Sequence, residues 1–100
     1  MRTAPPMLIG YARVSTHDQN LDLQHDALEA AGCERVIVDR MSGAASARPG
    51  LVQLKDILRG GDTLVVWRLD RLGRSLKDLI AWVSYLDEHE IGLRSLHEAI

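Results

Sequence analysis

"DTLVVWRLDRLGRSLKDLI", residues 62–80, holds the reading on which the fold turns. Its first part is apolar and rich in β-branched residues, as a buried strand would be, and it passes without a spacer into Arg68, Asp70, Arg71 and Arg74. Apolar residues then recur at helical spacing: Leu76, Leu79, Ile80, Val83 and Leu86 follow the i, i+3, i+4, i+7 rule. A strand over "DTLVVWRL" that feeds a helix is half of a crossover unit.

Working outward, the same rhythm repeats. "MLIGYARV" (7–14) is short and apolar and predicts a first strand. Leu21, Leu28 and Ala31 predict a helix that stops at Gly32. "ERVIVD" (34–39) predicts a second strand. "RMSGAASARPG" (40–50), small and polar with Gly43, Pro49 and Gly50, predicts an exposed, mobile loop. Leu51, Leu54 and Leu58 predict a second helix closed by Gly60 and Gly61, and "IGLRSL" (91–96) a fourth strand. Strands that alternate with helices predict an α/β fold in three layers, a mainly parallel sheet flanked by helices.

Composition narrows the function classes. One hundred residues with 46% hydrophobic content suffice for one domain with one core. A formal charge of −2 excludes a general polycation, so any affinity for anions must come from locally clustered arginines. The single cysteine, Cys33, excludes an internal disulfide, fits a reducing cytosol, and is expected to pack near a helix end. "MRTAPP" is too short and polar for a signal peptide, and residues 1–6 are expected to form a flexible extension. No apolar run approaches the roughly 20 residues of a membrane span, which predicts a cytoplasmic protein.

In parallel sheets, ligands gather beyond the carboxyl ends of the strands. Arg13, Ser15 and Thr16 follow the first strand, Asp39, Ser42 and Arg48 the second, and Arg68, Asp70, Arg71 and Arg74 the third. A hydroxyl among guanidinium groups points to chemistry on a phosphate: arginines stay charged and grip phosphate oxygens in two-pronged fashion, with Ser15 as the attacking oxygen. There is no phosphate-binding "GxxxxGK[ST]" loop and no carboxylate cluster, and His17, His25, His89 and His97 show no ligand spacing. A site without metal or cofactor is the simplest expectation.

Each residue also has a plain structural use. "THDQ" (16–19) fits a capping box in which Thr16 and Gln19 close a helix start, with Ser15 a neighbouring cap. Asp70 could cap the third helix and pair with an arginine. Arg71 and Arg74 could be solvated, and the histidines surface residues. It is the conjunction at one rim that favours function.

"GYARVSTHDQNLDLQ", then "DRMSG" and "ARPGL", then "GDTLVVWRLDRLGRS" resemble, in order and spacing, the catalytic domain of the serine recombinases, the resolvase and DNA invertase family of site-specific DNA recombinases. The resemblance runs from about Met7 to the end of the chain, and the "LVVW" is similar to the invertase branch. It implies that Ser15 attacks a DNA phosphodiester to form a covalent 5′-phosphoserine link, later reversed by the freed DNA hydroxyl. It implies that Arg13, Arg48, Arg71 and Arg74 surround the scissile phosphate. Tyr11, Gln19, Gln24, Asp39, Ser42 and Asp70 match supporting positions, Asp70 by orienting arginines, and Arg68 stands where the family varies between basic residues. Ala47 stands where many relatives carry an acidic residue.

The resemblance further implies double-stranded DNA as partner, a homodimer and a synaptic homotetramer, accessory DNA-bending proteins, and residence at the bacterial nucleoid when DNA-bound. Relatives continue into a long dimerisation helix and a helix-turn-helix domain; residues 7–100 correspond to the catalytic domain alone, a fragment not expected to complete recombination. The rival readings are a receiver-like or other phosphate-binding signalling module, which would need an acidic cluster at these strand ends, and a non-catalytic interaction domain.

Overall fold

The computed structural model describes residues 6–15, 21–41, 49–73 and 75–98. The elements are β1 (Leu8–Ser15), α1 (Leu21–Ala30), β2 (Arg35–Met41), α2 (Pro49–Ile57), β3 (Thr63–Val66), a 3-10 turn (Leu69–Arg71), α3 (Leu76–Glu88) and β4 (Gly92–Ser95). The strands form one sheet in the order β2-β1-β3-β4, with every pairing parallel. The expected α/β architecture is therefore present. The capping-box residues Thr16 and Gln19, the loop residues 42–48 with Ser42 and Arg48, Arg74, and residues 1–5 of the expected extension lie outside the described residues.

Strand alternation sorts the side chains into two packed layers. On one face Ile9, Tyr11, Ile37, Leu64 and Val66 pack with Leu51 and Leu54 of α2 and Trp82 and Leu86 of α3. On the other, Ala12 and Val65 meet Leu28 of α1, with Val36, Val38 and Cys33 around them. The sheet is thus covered on both sides, as its near-continuous apolar strands require. Gly10 lies close beneath α1: a Cβ there would lie 3.3 Å from the Leu28 side chain and 3.1 Å from the Cys33 sulfur. Cys33 does pack at a helix end, just after α1 turns off at Gly32 with φ 101°. Burial pushes its thiol pKa up, with Arg94 pulling in the opposite direction.

Three expectations need correction. The third strand spans Thr63–Val66 rather than 62–69. Asp62 is withdrawn into a turn, where its carboxylate accepts from the Met7 and Arg59 amides at 3.0 and 2.9 Å, and beyond Val66 the chain bends into the 3-10 turn. The second helix begins at Pro49, inside the expected loop, because proline at the first helical position lacks only an N–H that would be orphaned anyway. Finally, α3 does not bury all five predicted residues. Trp82 and Leu86 reach the core and Leu79 packs against it, whereas Leu76, Ile80 and Val83 are exposed. The bulky Trp82, absent from the predicted stripe, turns the buried face toward the 79–82–86 line.

Candidate active site

Register brings those of the expected residues that are described to one rim. β1 pairs β2 along Ile9–Ser15, with Arg13 opposite Asp39 and Ser15 opposite Met41. Its pairing with β3 stops at Tyr11 opposite Val66, so the last four residues of β1 run on without a partner strand on that side. The 3-10 turn fills the place: the Arg13 guanidinium donates through Nη2 to the Asp70 carbonyl. This contact ties the end of the first strand to the end of the third. Ser15 is the final residue of β1, two positions beyond Arg13.

Within the turn, Arg71 is half-buried and its Nε lies 4.0 Å from the exposed Asp70 carboxylate. The Arg68 and Arg71 guanidinium groups lie over the Trp67 ring, 4.7 and 5.7 Å from its centroid. Stacking on an indole restrains a guanidinium plane without using its N–H donors. The buried Trp67 ring thus has two of the expected arginines packed on it. Asp70 does not cap α3. That role falls to Ser75, whose Oγ accepts from the Asp78 amide at 3.1 Å, because Asp70 lies within the 3-10 turn, five residues ahead of the cap position.

Beneath the rim lies a buried polar pair. The Tyr11 hydroxyl, fully buried, donates to Asp39 Oδ2 at 2.7 Å, and the Gly50 amide at the start of α2 donates to Oδ1 at 2.7 Å. A carboxylate at a helix N-terminus is favoured by the amides pointing at it and by the helix dipole. A side chain at position 50 would bring its Cβ to 2.9 Å from the Asp39 carboxylate, so the helix can approach only as glycine. Asp39 thereby anchors the start of α2, next to the segment that carries Arg48. Gln24 is also buried; its Nε2 donates to the Arg13 carbonyl at 3.5 Å, and its Oε1 has no hydrogen-bond partner among the described residues.

Tyr11, Arg13, Gln24, Asp39, Arg68, Asp70 and Arg71 are therefore gathered around the carboxyl ends of β1, β2 and β3. Read from sequence, Gly50 falls in a loop rather than in the first turn of α2 and Ser75 has no assigned role; the signals were the glycine after a helix-starting proline and the serine three residues ahead of Asp78. The histidines are less uniform than expected. His25 lies 3.1 Å from Glu29, and with Asp26 these form the one group among the described residues that could hold a metal ion, on an outer surface of α1. His89 closes α3 through Nδ1 and the Tyr85 carbonyl, 2.8 Å apart. No described helix is long and apolar enough to cross a membrane.

Comparison with known proteins bears on the family and the fold. The family model described as Resolvase, N terminal domain, matches residues 8–100. The chain is 57% identical over 94 residues to the serine recombinase gin of Escherichia phage Mu, covering 94% of this chain and 49% of that protein. It is 54% identical over 94 residues to the transposon Tn552 resolvase of Staphylococcus aureus, with 94% and 48% coverage. The chain thus spans about half the length of the curated relatives it matches. The crystal structure of the C-terminal catalytic domain of an IS607-like serine recombinase superposes with a TM-score of 0.77 over 91% of this chain and 67% of that one. At 24% identity that likeness speaks for the fold.

Proposed function

Because the chain belongs to the resolvase N-terminal domain family of serine recombinases, we propose that it is the catalytic core of a site-specific DNA recombinase. The observation that carries the proposal is the Arg13 contact to the Asp70 backbone, which gathers the ends of β1 and β3 so that the strand ending in Ser15 and the arginine-bearing turn share one rim. A receiver-like module is not favoured, since its acidic cluster is replaced here by arginines.

In this mechanism the Ser15 hydroxyl attacks the phosphorus of a DNA strand. The Oγ–P bond forms as the bond from phosphorus to the 3′ oxygen breaks, which leaves a 5′-phosphoserine and a 3′ hydroxyl. The ester stores the energy of the broken bond, so the 3′ hydroxyl of a recombinant strand rejoins it without a nucleotide cofactor. Arg13, Arg71, Arg48 and Arg74 stabilise the pentacovalent transition state, whose charge exceeds that of the resting diester. Asp70 orients Arg71, and Arg68 contacts neighbouring phosphate. Tyr11, Asp39 and Gln24 hold β1, α2 and the Arg13 backbone in place, with Gln19 and Ser42 as further supports. This division of labour demands no metal ion.

The relatives' extra length supports a continuation of this chain through a dimerisation helix and a helix-turn-helix reader, with double-stranded DNA bound by a homodimer and exchanged in a synaptic homotetramer. Accessory DNA-bending proteins and a cytoplasmic, nucleoid-associated location belong to the same proposal. The test is a denaturing gel of suicide-substrate reactions with the full-length protein. Wild type forms a covalent protein–DNA band, and Ser15→Ala binds the site but forms none. A persistent band in Ser15→Ala, mapped to Thr16 or another residue, would falsify the assignment of the nucleophile.

A further inference from the structure

The 3-10 turn that bears Asp70 and Arg71 lacks a cap of its own. Its N-cap residue, Arg68, makes no side-chain capping bond, and arginine has no acceptor to offer. The first amide of such a turn is an orphan donor that needs a partner. The partner comes from the far side of α3: the Leu69 N–H donates to Glu98 Oε1 at 3.0 Å, across 29 residues of sequence. One residue earlier, His97 Nδ1 lies 2.7 Å from the Trp67 carbonyl, which can only accept, so the imidazole donates. Its ring also meets the Trp67 indole edge-on at 4.8 Å, the same indole over which Arg68 and Arg71 lie.

The clamp is itself organised. Ser95, the last residue of β4, donates its hydroxyl to Glu98 Oε1, while its Oγ accepts from the His97 and Glu98 amides at 3.3 and 3.2 Å. The Leu96 amide continues the ladder to the Val66 carbonyl at 3.0 Å. These bonds hold the Glu98 carboxyl below the usual carboxylate range, Ser95 contributing most and the Leu69 amide next. Consecutive side chains therefore satisfy the two backbone groups that flank the departure of the chain from β3, one carbonyl and one amide.

We propose that His97 and Glu98 are positioning residues of the active site, a clamp that fixes the arginine-bearing 3-10 turn against β1. Neither touches the reacting phosphate in this scheme. Both act through the backbone of Trp67 and Leu69 and the indole of Trp67, and so on the placement of Arg71 and of the Asp70 carbonyl that receives Arg13. The inference rests on the recombinase reading and goes beyond it, since the assigned arginines do not by themselves require a brace from the end of β4.

The experiment uses the full-length protein and makes two kinds of measurement on Glu98→Ala, Glu98→Gln and His97→Ala. The first is the single-turnover rate of covalent adduct formation at saturating suicide substrate, together with DNA affinity. The second is hydrogen exchange at the Leu69 amide. Glu98→Ala should speed Leu69 exchange and slow adduct formation by roughly 10- to 100-fold, the scale of a misplacement of about 1 Å, with affinity unchanged. Glu98→Gln, which keeps an acceptor oxygen, should restore most of both, and His97→Ala should slow the rate while the protein stays folded. Wild-type adduct rates in Glu98→Ala and His97→Ala, or equal losses in Glu98→Ala and Glu98→Gln, overturn the clamp and leave the recombinase reading standing. A wild-type protein that forms no adduct overturns that reading and the clamp with it.

Discussion

Replacing Tyr11 with phenylalanine tests the buried pair beneath the rim. The ring is kept, so no cavity opens; only the hydroxyl that donates to Asp39 Oδ2 at 2.7 Å is lost. Asp39 is 2% exposed and cannot turn to bulk water for a replacement donor. A hydrogen bond to a charged group contributes about 1.5–3 kcal/mol, and stranding the buried acceptor puts the loss toward the upper part of that range. For a domain of this size each kcal/mol is roughly 4–8 °C in Tm, so Tyr11→Phe should melt at least ~6 °C lower. Urea unfolding of wild type, Tyr11→Phe, Asp39→Asn and the double variant completes a cycle whose coupling should be at least ~1 kcal/mol. A Tyr11→Phe loss within the ~0.5 kcal/mol typical of surface changes, or a coupling near zero, would refute the claim that this bond holds the Asp39 carboxylate beneath the rim.

Gly50→Ala should destabilise by about 1–3 kcal/mol in chemical denaturation, because its Cβ would sit 2.9 Å from the Asp39 carboxylate and something must shift. Ser75→Ala should cost about 1 kcal/mol in the same assay through loss of the α3 cap, while Asp70→Ala leaves that helix intact. Raising the pH should weaken folding above the ordinary thiol value of 9.0, because the unfolded Cys33 releases its proton there and the folded one holds it. Cys33→Ser should remove that component of the pH dependence, and an unchanged profile would contradict it. Strong chelator, at an ionic strength suited to DNA binding, should leave adduct formation by the full-length protein intact; loss with rescue by one divalent ion would contradict arginine-only stabilisation.

The sheet was legible because parallel strands are buried on both faces and read as unbroken apolar runs, as "LVVW" does. Its ends were less so: nothing local distinguishes Trp67 and Arg68 as strand or turn, and the decision is made by pairing, since β1 and β3 part after Tyr11 and Val66. The α3 face was misjudged because periodicity alone admits two apolar stripes, and the size of Trp82 decides between them. Arg13, Asp39 and Arg71 could be assigned to a common rim from their places at the carboxyl ends of successive strands in an expected parallel sheet. The Tyr11–Asp39 bond could not, for it depends on a register set across 28 residues. The Glu98 cap was hidden for the same reason: the sequence near Leu69 records a missing acceptor, and its supplier lies beyond another helix.

The position of β1 has a consequence for how the protein is made. This strand leaves the ribosome before the other strands of its sheet, yet it lies inside that sheet, between β2 and β3. Its second edge is closed by a strand whose flanking contact, the Met7 amide on Asp62, spans 55 residues. Such long-range parallel pairing is slow to form, because chain entropy is lost before the contact rewards it. During synthesis the first strand can find β2 but must wait for β3, and Arg13 cannot reach the Asp70 backbone until the turn beyond β3 has emerged. The two halves of the rim therefore stay apart on every nascent chain too short to hold that turn.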